Sequence, residues 1–133
     1  MIKVMIVDDQ MIARSAIKKV LETDPAIIIA GEAMDGVDAL KKIPDMQPDV
    51  ITCDMEMPNM NGVQLMMKLR DLHPHIGVVV LSSITQPDSA KEKICLNLGA
   101  AAVLAKPGNA YAQLNPVQNA KELIQSLYKA KRK

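Results

Sequence analysis

The chain opens with IKVMIVDD at residues 2–9, a segment that joins a predicted strand to two acidic residues. Five of the six residues in Ile2–Val7 are apolar. A nearly continuous apolar run of this length is typical of a strand that is covered on both faces. Asp8 and Asp9 follow it without a linker, so a polar site is predicted at the carboxyl end of this strand.

Four more short apolar runs follow, and segments with helical spacing separate them. The predicted strands are Ile2–Val7, Ile27–Ala33, Val50–Cys53, Val78–Ser82 and Ala101–Ala105. The helical stripes are Ile12/Ala16/Val20, Val37/Leu40/Ile43, Leu65/Met66/Leu69, Ala90/Ile94/Leu98 and Ala120/Ile124/Leu127. This alternation predicts an α/β fold, a doubly wound five-stranded parallel sheet of (βα)5 order with helices on both faces.

Length and composition predict one globular domain. The 133 residues contain no internal repeat, low-complexity stretch or domain boundary, so residues 1–133 are expected to form a single domain. Hydrophobic residues make up 49%, charged residues 23%, and the net charge is +1. With a net charge this close to zero, the molecule has no overall electrostatic field that would attract nucleic acid or a membrane surface. No apolar run reaches about 18 residues and the N-terminus resembles a strand, so a cytoplasmic protein is expected.

The cysteine and aromatic content narrows the chemistry. Cys53 and Cys95 lie in apolar segments without a Cys-x-x-Cys pair, which predicts free buried thiols in a reducing compartment. The chain has no Phe or Trp, and its only aromatic residues of the Phe/Tyr/Trp class are Tyr111 and Tyr128. It therefore lacks the stacking surface that a flavin ring or a nucleobase needs.

Chemically distinctive side chains stand at the ends of four predicted strands. Asp8 and Asp9 follow the first strand, Asp54 the third, Ser82 ends the fourth, and Lys106 follows the fifth. In open parallel sheets, ligands bind beyond the carboxyl ends of the strands. Two carboxylates about 4 Å apart repel by about 4 kcal/mol at an effective dielectric constant near 20, a cost that a divalent cation removes. Oxygen ligands of this kind suit Mg²⁺.

Each of these residues also has a simpler interpretation. Asp8 and Asp9 alone would be an N-terminal cap for the first helix. Lys106 alone would be a solvated lysine, and Ser82 alone a strand-end residue bonded to backbone. Taken together, they predict phosphoryl chemistry: a carboxylate such as Asp54 is a competent nucleophile, and phosphoryl transfer needs mainly positioned positive charge and hydrogen-bond donors.

Four ordered motifs carry a family resemblance. They are VDD at residues 7–9, DMEMPNMNG at 54–62, LSS at 81–83 and KP at 106–107. With them the chain resembles a response-regulator receiver domain, the phospho-acceptor part of bacterial two-component signalling, from residue 2 to about residue 129. The resemblance implies a flavodoxin-like fold with strand order 2-1-3-4-5, for which a receiver domain is itself a standard example.

The resemblance also implies a metal site. Asp8, Asp9 and Asp54 would supply carboxylate ligands, and the backbone carbonyl of Glu56 would supply a further one. The cofactor implied is Mg²⁺, or Mn²⁺ in its place.

Around the phosphoryl group, the resemblance implies roles for three side chains and two backbone features. Asp54 would be phosphorylated, Ser82 would be the switch hydroxyl and Lys106 would pair with the phosphate. The Lys106–Pro107 peptide bond would be cis, and Gly62 would allow the turn into the third helix.

The partners implied are a sensor histidine kinase or phosphotransfer protein and a downstream output protein or domain. The donor would dock on the first helix at Met11, Ile12 and Ser15. Phosphorylation-dependent homodimerisation is a further expectation, and direct nucleic-acid or membrane binding is not expected. No separate substrate turnover is expected, because the chain would be a phospho-acceptor. The expected output surface includes Ala90, Lys91, Val103, Tyr111 and Gln113.

Within the family, three short segments are similar to the receiver of a chemotaxis methylesterase: MEMP at 55–58, SSIT at 82–85 and KPG at 106–108. Two positions depart from common family patterns. Val103 stands where many relatives have an aromatic switch residue. Glu56 and Ile84 flank the expected path of a hydrolytic water, and neither positions a water, so a long-lived phosphoryl group is expected.

Two other classes of protein are less compatible with this sequence. Asp54-Met55-Glu56 weakly resembles the Asp-x-Asp motif of phosphohydrolases, but Glu56 is one methylene longer than the second acid and no cap segment is present. A flavodoxin-like electron carrier would need a Ser/Thr-rich phosphate loop after the first strand and a stacking aromatic, which the sequence lacks.

Overall fold

The computed structural model describes residues 1–82, 89–108, 113–114 and 116–131, and its strands and helices alternate along the chain. The strands are β1 (Ile2–Val7), β2 (Ile27–Ala33), β3 (Val50–Asp54), β4 (Gly77–Ser82) and β5 (Ala102–Ala105). The helices are α1 (Met11–Leu21), α2 (Gly36–Met46), α3 (Gly62–Leu72), α4 (Ser89–Asn97) and α5 (Pro116–Ala130).

The strands form one sheet in the order β2-β1-β3-β4-β5, and every neighbouring pair is parallel. The predicted α/β fold class is confirmed, and the strand boundaries agree with prediction to within one residue. From β1 the chain adds β2 on one side of the sheet, and it then adds β3, β4 and β5 on the other side. The direction of strand addition therefore reverses between β1 and β3. A crevice is therefore expected between the carboxyl ends of β1 and β3.

Two apolar layers cover the sheet. On one face, α2, α3 and α4 pack on strand residues such as Ile51 and Cys53. On the other face, α1 and α5 pack on residues such as Val50 and Leu81. Cys53 and Cys95 are both free and buried, as predicted. None of the helices in the described ranges is long and apolar enough to cross a membrane.

The inward faces of α1 and α4 differ from prediction. Ile12, which belongs to the predicted apolar stripe and also to the expected docking surface, is 86% exposed, whereas Ile17 and Leu21 are buried against the sheet. In α4, Ile94 is 47% exposed and Cys95 is buried instead. Both segments carry apolar residues on more than one side, so spacing alone leaves two candidate stripes. Packing on the sheet selects between them.

Two chain reversals involve Gly99 and the Lys106–Pro107 bond. Gly99 follows the end of α4 with a φ of 107°, a backbone conformation that favours glycine. The prediction of a cis Lys106–Pro107 bond is wrong, because the described residues contain no cis peptide bond. The trans form is intrinsically preferred even before proline, and Gly108, with a φ of 90°, provides a positive-φ position just after Pro107.

The α1/α5 layer provides a test of the fold. Leu127 of α5 is fully buried, so Leu127→Ala should lower the free energy of unfolding by about 3 kcal/mol through lost burial and a cavity. Val117→Ala, in the same helix but at a residue that is 69% exposed, should change it by no more than about 0.5 kcal/mol. Urea denaturation measures both. Equal losses would contradict this placement of α5.

Candidate functional site

The carboxyl ends of β1, β3 and β5 bring two acids and one lysine into a buried cluster. Asp8 is 0% exposed, Asp54 4% and Lys106 5%. Lys106 Nζ lies 2.7 Å from Asp8 Oδ2 and 3.1 Å from Asp54 Oδ2. The ammonium group therefore bridges the two carboxylates, which sit at the ends of neighbouring strands.

Several backbone contacts fix Asp8. Its amide donates to the carbonyl of Ala33 at the end of β2, at 3.0 Å. Its carbonyl accepts from Arg14 Nη1 at 2.6 Å, and its Oδ1 accepts from the amide of Gln10 at 2.9 Å. The N-cap of α1 is Gln10, whose side chain makes no capping hydrogen bond. The interpretation of Asp8 and Asp9 as simple helix caps is therefore not supported.

Asp9 completes a group of three acids. One carboxylate oxygen from each of Asp8, Asp9 and Asp54 lies within 4.8 Å of the others, and Asp9 is exposed while the other two are buried. Three oxygen donors that converge from two strand ends, one of them open to solvent, fit a hard divalent cation that keeps several waters. Lys106 neutralises at most one of the three charges, so the residues present suit Mg²⁺.

The electrostatics of the cluster follow from burial and from neighbouring charges. Burial, with the charge of Asp8 added, raises the pKa of Asp54 to about 6 although Lys106 acts in the opposite direction. Burial alone would lower the pKa of Lys106, but its bonds to Asp8 and Asp54 outweigh burial and raise that pKa. The lysine therefore stays charged, and Asp54 carries an unfavourable charge at neutral pH.

The loop between β3 and α3 approaches Asp54 closely. The amide of Glu56 donates to Asp54 Oδ1 at 3.3 Å, which is the kind of loop donor that the sequence predicts. A Cβ at Gly62 would lie 2.6 Å from the carbonyl oxygen of Asp54. Gly62 is not among the glycines with positive φ. It is needed for close backbone approach, rather than for the turn conformation expected from the resemblance.

Two side-chain contacts fix the rest of this loop. Asn61 and Gln64 form a reciprocal capping box at the start of α3. Asn59, in the left-handed region with a φ of 65°, donates from Nδ2 to Asp35 Oδ2 at 2.9 Å. Asp35 is in turn the N-cap of α2. The loop is therefore tied to a neighbouring helix, and Asp54 sits on a braced segment.

The structure also describes the surroundings of Ser82, Glu56 and Val103. Ser82 is the last residue of β4, and its carbonyl accepts from the amide of Lys106 at 2.9 Å. The side chain of Glu56 forms an ion pair with Lys91 of α4. Val103 of β5 is partly buried against the α2/α3/α4 layer. Ser83, Ile84, Thr85 and Tyr111 lie outside the described residues.

Sequence reasoning missed Arg14 and Glu32. Arg14 Nε lies 3.0 Å from Glu32 Oε1, and the same arginine contacts the carbonyl of Asp8. No candidate residue was predicted at the end of β2. A basic residue about one turn into a helix beside an acid at a strand end is a common surface pattern, so this link has no distinctive signal in the sequence.

Comparison with known families gives a match over most of the chain. The family model described as response regulator receiver domain matches residues 4–118. The chain is 44% identical over 117 residues to a protein-glutamate methylesterase/protein-glutamine glutaminase of Treponema pallidum (strain Nichols), covering 87% of this chain and 29% of that protein. It is 36% identical over 126 residues to one from Saccharophagus degradans (strain 2-40), covering 95% of this chain and 36% of that protein. The chain thus spans about a third of the length of these curated relatives.

Solved structures agree. The response regulator domain of Thermotoga maritima CheB superposes with a TM-score of 0.83 at 33% identity, covering 97% of this chain and 95% of that one. The signal receiver domain of the putative response regulator NarL from Mycobacterium tuberculosis gives a TM-score of 0.76 at 26% identity, covering 96% of each. Both likenesses extend over nearly the whole chain.

The raised pKa of Asp54 predicts a pH-dependent stability in the presence of a chelator. The folded-state pKa of about 6 exceeds the ordinary value of 3.8, so the folded state binds more protons between these values and stability falls as pH rises through them. The free energy of unfolding of Asp54→Asn should equal that of the wild type near pH 4. Above pH 6 it should be larger by up to about 3 kcal/mol, because the variant has no buried charge at this position.

Urea denaturation at a series of pH values measures this difference. The control is Asp71→Asn, at an exposed position of α3, which should stay within about 0.5 kcal/mol of the wild type. A constant difference between Asp54→Asn and the wild type across the pH range would contradict the prediction.

Proposed function

This chain belongs to the response regulator receiver domain family, and from that premise we propose that Asp54 is its phosphoryl acceptor. An Asp54 carboxylate oxygen attacks the phosphorus of a phosphohistidine on a histidine kinase or phosphotransfer protein. The new O–P bond forms as the P–N bond breaks, and the imidazole leaves. The observation that supports Asp54 most strongly is its position at the end of β3, beside Lys106 and among three converging acids.

Lys106 and the loop amide provide the electrostatic part of this proposal. The ammonium group lies 3.1 Å from Asp54 Oδ2, so it is placed to pair with a phosphoryl oxygen once Asp54 is modified. The amide of Glu56 points at the other oxygen, Oδ1. Phosphorylation adds between one and two negative charges. The Lys106 ammonium group and the Glu56 amide already contact the Asp54 carboxylate, so both are placed to donate to the modified group.

We assign the metal site to Asp8, Asp9 and Asp54, with the backbone carbonyl of Glu56 as a further ligand of Mg²⁺ or Mn²⁺. The bound ion would neutralise charge that develops on the phosphoryl oxygens during transfer. The convergence of the three carboxylates supports this assignment. Asp9, the exposed member, leaves the site accessible to a docking partner.

The donor is proposed to dock on the first turns of α1. Met11 is 72% exposed and Ile12 is 86% exposed, and they lie two and three residues after Asp9. Apolar side chains of this size that are exposed beside the site are typical of a protein-binding surface, because a docked partner would remove them from water. The exposure of Ile12, a member of the predicted apolar stripe of α1, thus fits docking better than packing.

The output is proposed to pass through the surface of α4, β5 and α5. When Asp54 is phosphorylated, Ser82 and Lys106 would turn toward the phosphate and shift a pre-existing equilibrium of this surface. Ala90, Lys91, Val103 and Gln113 belong to it, and Tyr111 lies outside the described residues. A valine at 103 gives no aromatic ring to rotate, so movement of α4 and β5 themselves would carry the change. Homodimerisation through this surface is part of the proposal.

The pathway is proposed by similarity. The curated relatives named above are protein-glutamate methylesterases/protein-glutamine glutaminases that are about three times as long as this chain. We therefore propose a cytoplasmic role in chemotaxis signalling, with a chemotaxis histidine kinase as donor. The output would be a methylesterase domain or a separate protein.

Labelling with acetyl phosphate and Mg²⁺, followed by intact mass, tests the acceptor. The wild type should gain one phosphoryl group, about 80 Da by elementary composition, and Asp54→Asn should gain none, because an amide cannot form the acyl phosphate. Asp45→Asn, at an exposed position of α2, is the control and should label as the wild type does. An unlabelled wild type, beside a receiver that labels, would refute the proposal. Multiple turnover of a phosphomonoester would favour the phosphohydrolase class instead.

The lifetime of the phosphoryl group is a separate prediction. Glu56 carries a negative charge beside Asp54 and pairs with Lys91, so it would hinder the approach of a hydrolytic water or hydroxide. The phosphorylated wild type should persist for minutes or longer with Mg²⁺ present. Glu56→Gln removes the charge at equal length and should shorten the half-life several-fold.

Loss of label after removal of acetyl phosphate, followed by intact mass, measures the half-life. Glu22→Gln, exposed at the end of α1, serves as the matched control and should leave the half-life unchanged. A wild-type half-life of seconds would be inconsistent with the role given to Glu56.

A further inference from the structure

A register shift in β2 changes the face to which Glu32 belongs. β1 and β2 pair as Val4 with Ile29 and then Met5 with Gly31, so one residue of β2, Ala30, is extra. Side chains alternate between the faces of a strand, and an extra residue inverts that alternation beyond it. Ile29 packs with the α1/α5 layer. Ala33 is four residues farther along β2, so in a regular strand it would lie on the same face as Ile29.

Ala33 instead packs in the α2/α3/α4 layer, which confirms the inversion. Glu32 pairs with Ile6, a residue of the α1/α5 layer, so its side chain belongs to the face that α1 covers. The bulge therefore directs a carboxylate toward α1, beside the carboxyl end of β1. Bulges are frequently found where a side chain near a functional site must be re-aimed.

Two basic residues of α1 meet this carboxylate. Arg14 Nε lies 3.0 Å from Glu32 Oε1, and Lys18 Nζ lies 2.6 Å from Glu32 Oε2. Arg14 also donates from Nη1 to the carbonyl of Asp8 at 2.6 Å. Its side chain is 16% exposed, against 39% for Lys18. The contacts thus form a chain from β2 through α1 to the loop that carries Asp8 and Asp9.

We propose that Arg14, oriented by Glu32, is a positioning residue that fixes the β1–α1 loop for cation binding at Asp8 and Asp9. The inference rests on the proposed function, because it deepens the metal site assigned there. In the described part of the chain, Arg14 contacts the carboxylate of Glu32 and the backbone carbonyl of Asp8. It acts through the backbone of Asp8.

The guanidinium group suits this task because its planar fork donates to two acceptors in fixed directions. Nε faces Glu32 while Nη1 faces the carbonyl of Asp8. A lysine has one ammonium group on a flexible stem and cannot hold both directions in the same way. Lys18 shows the contrast, since it contacts the other oxygen of Glu32 and lies one turn farther from Asp8.

Charge and positioning predict opposite effects, which makes the proposal testable. Arg14 is a cation close to a cation site, so removal of its charge alone should strengthen metal binding. If Arg14 positions the loop, its removal should weaken binding despite that gain. Loss of a group that orients a metal ligand typically lowers metal affinity by roughly 10-fold or more.

The experiment compares Arg14→Met, Arg14→Lys and Lys18→Met in the full 133-residue chain. Mn²⁺ affinity is measured by calorimetric titration. Amide hydrogen exchange at Gln10, whose N–H donates to Asp8 Oδ1, is measured without metal. Arg14→Met should bind Mn²⁺ roughly 10-fold more weakly than the wild type and exchange the Gln10 amide faster. The Mn²⁺ affinity of Arg14→Lys should lie between that of the wild type and that of Arg14→Met. Lys18→Met, which also removes one positive charge beside Glu32, should bind Mn²⁺ at least as tightly as the wild type.

Unchanged or tighter Mn²⁺ binding by Arg14→Met would overturn the inference. It would also be overturned if Lys18→Met lost as much Mn²⁺ affinity as Arg14→Met. Absence of Mn²⁺ binding by the wild type would overturn it too. This result can be separated from the test of Asp54 as phosphoryl acceptor. If Asp54 is labelled normally and Arg14→Met keeps the wild-type Mn²⁺ affinity, only the positioning role of Arg14 is refuted. If Arg14→Met binds Mn²⁺ more weakly but the wild type is never labelled, only the acceptor role of Asp54 is refuted.

Discussion

The bridge from Lys106 to the carboxylates of Asp8 and Asp54 is the interaction around which the site is arranged. Two acids at the ends of neighbouring strands are buried, and one ammonium group contacts both. Burial of such charges is favourable only with compensation, and one cation does not compensate three acids when Asp9 is counted. The cluster is therefore poised to take a cation, and it places a positive group where a phosphoryl group on Asp54 would need one.

The rest of the fold serves to hold these side chains in place. The strand order sets β1 and β3 side by side, so Asp8 and Asp54 must meet. Gly62 lets the start of α3 approach the backbone of Asp54, and Asn59 ties the intervening loop to the cap of α2. On the opposite side, the bulge in β2 brings Glu32 to Arg14. Both loops of the crevice are thus tied to neighbouring elements by side-chain contacts.

Prediction from sequence worked where one local signal had one meaning. Continuous apolar runs identified the strands, with boundaries that are correct to within one residue. It failed where two faces of a helix competed. Ile12 has the spacing of a core residue but lies outside, because the packing of Ile17 sets the rotation of α1. The trans Lys106–Pro107 bond was also mispredicted, since a family pattern, rather than local chemistry, suggested cis.

Linear motifs are enough to assign the α/β class and to select the candidate residues, because Asp8, Asp54 and Lys106 stand at strand ends that can be read along the chain. The distances among these residues, and the link from Glu32 through Arg14 to Asp8, arise only when the strands and helices pack together. That link depends on a register shift between two strands, which inverts the faces of β2 beyond Ala30. Register is a property of paired strands, so no single segment of the chain encodes it.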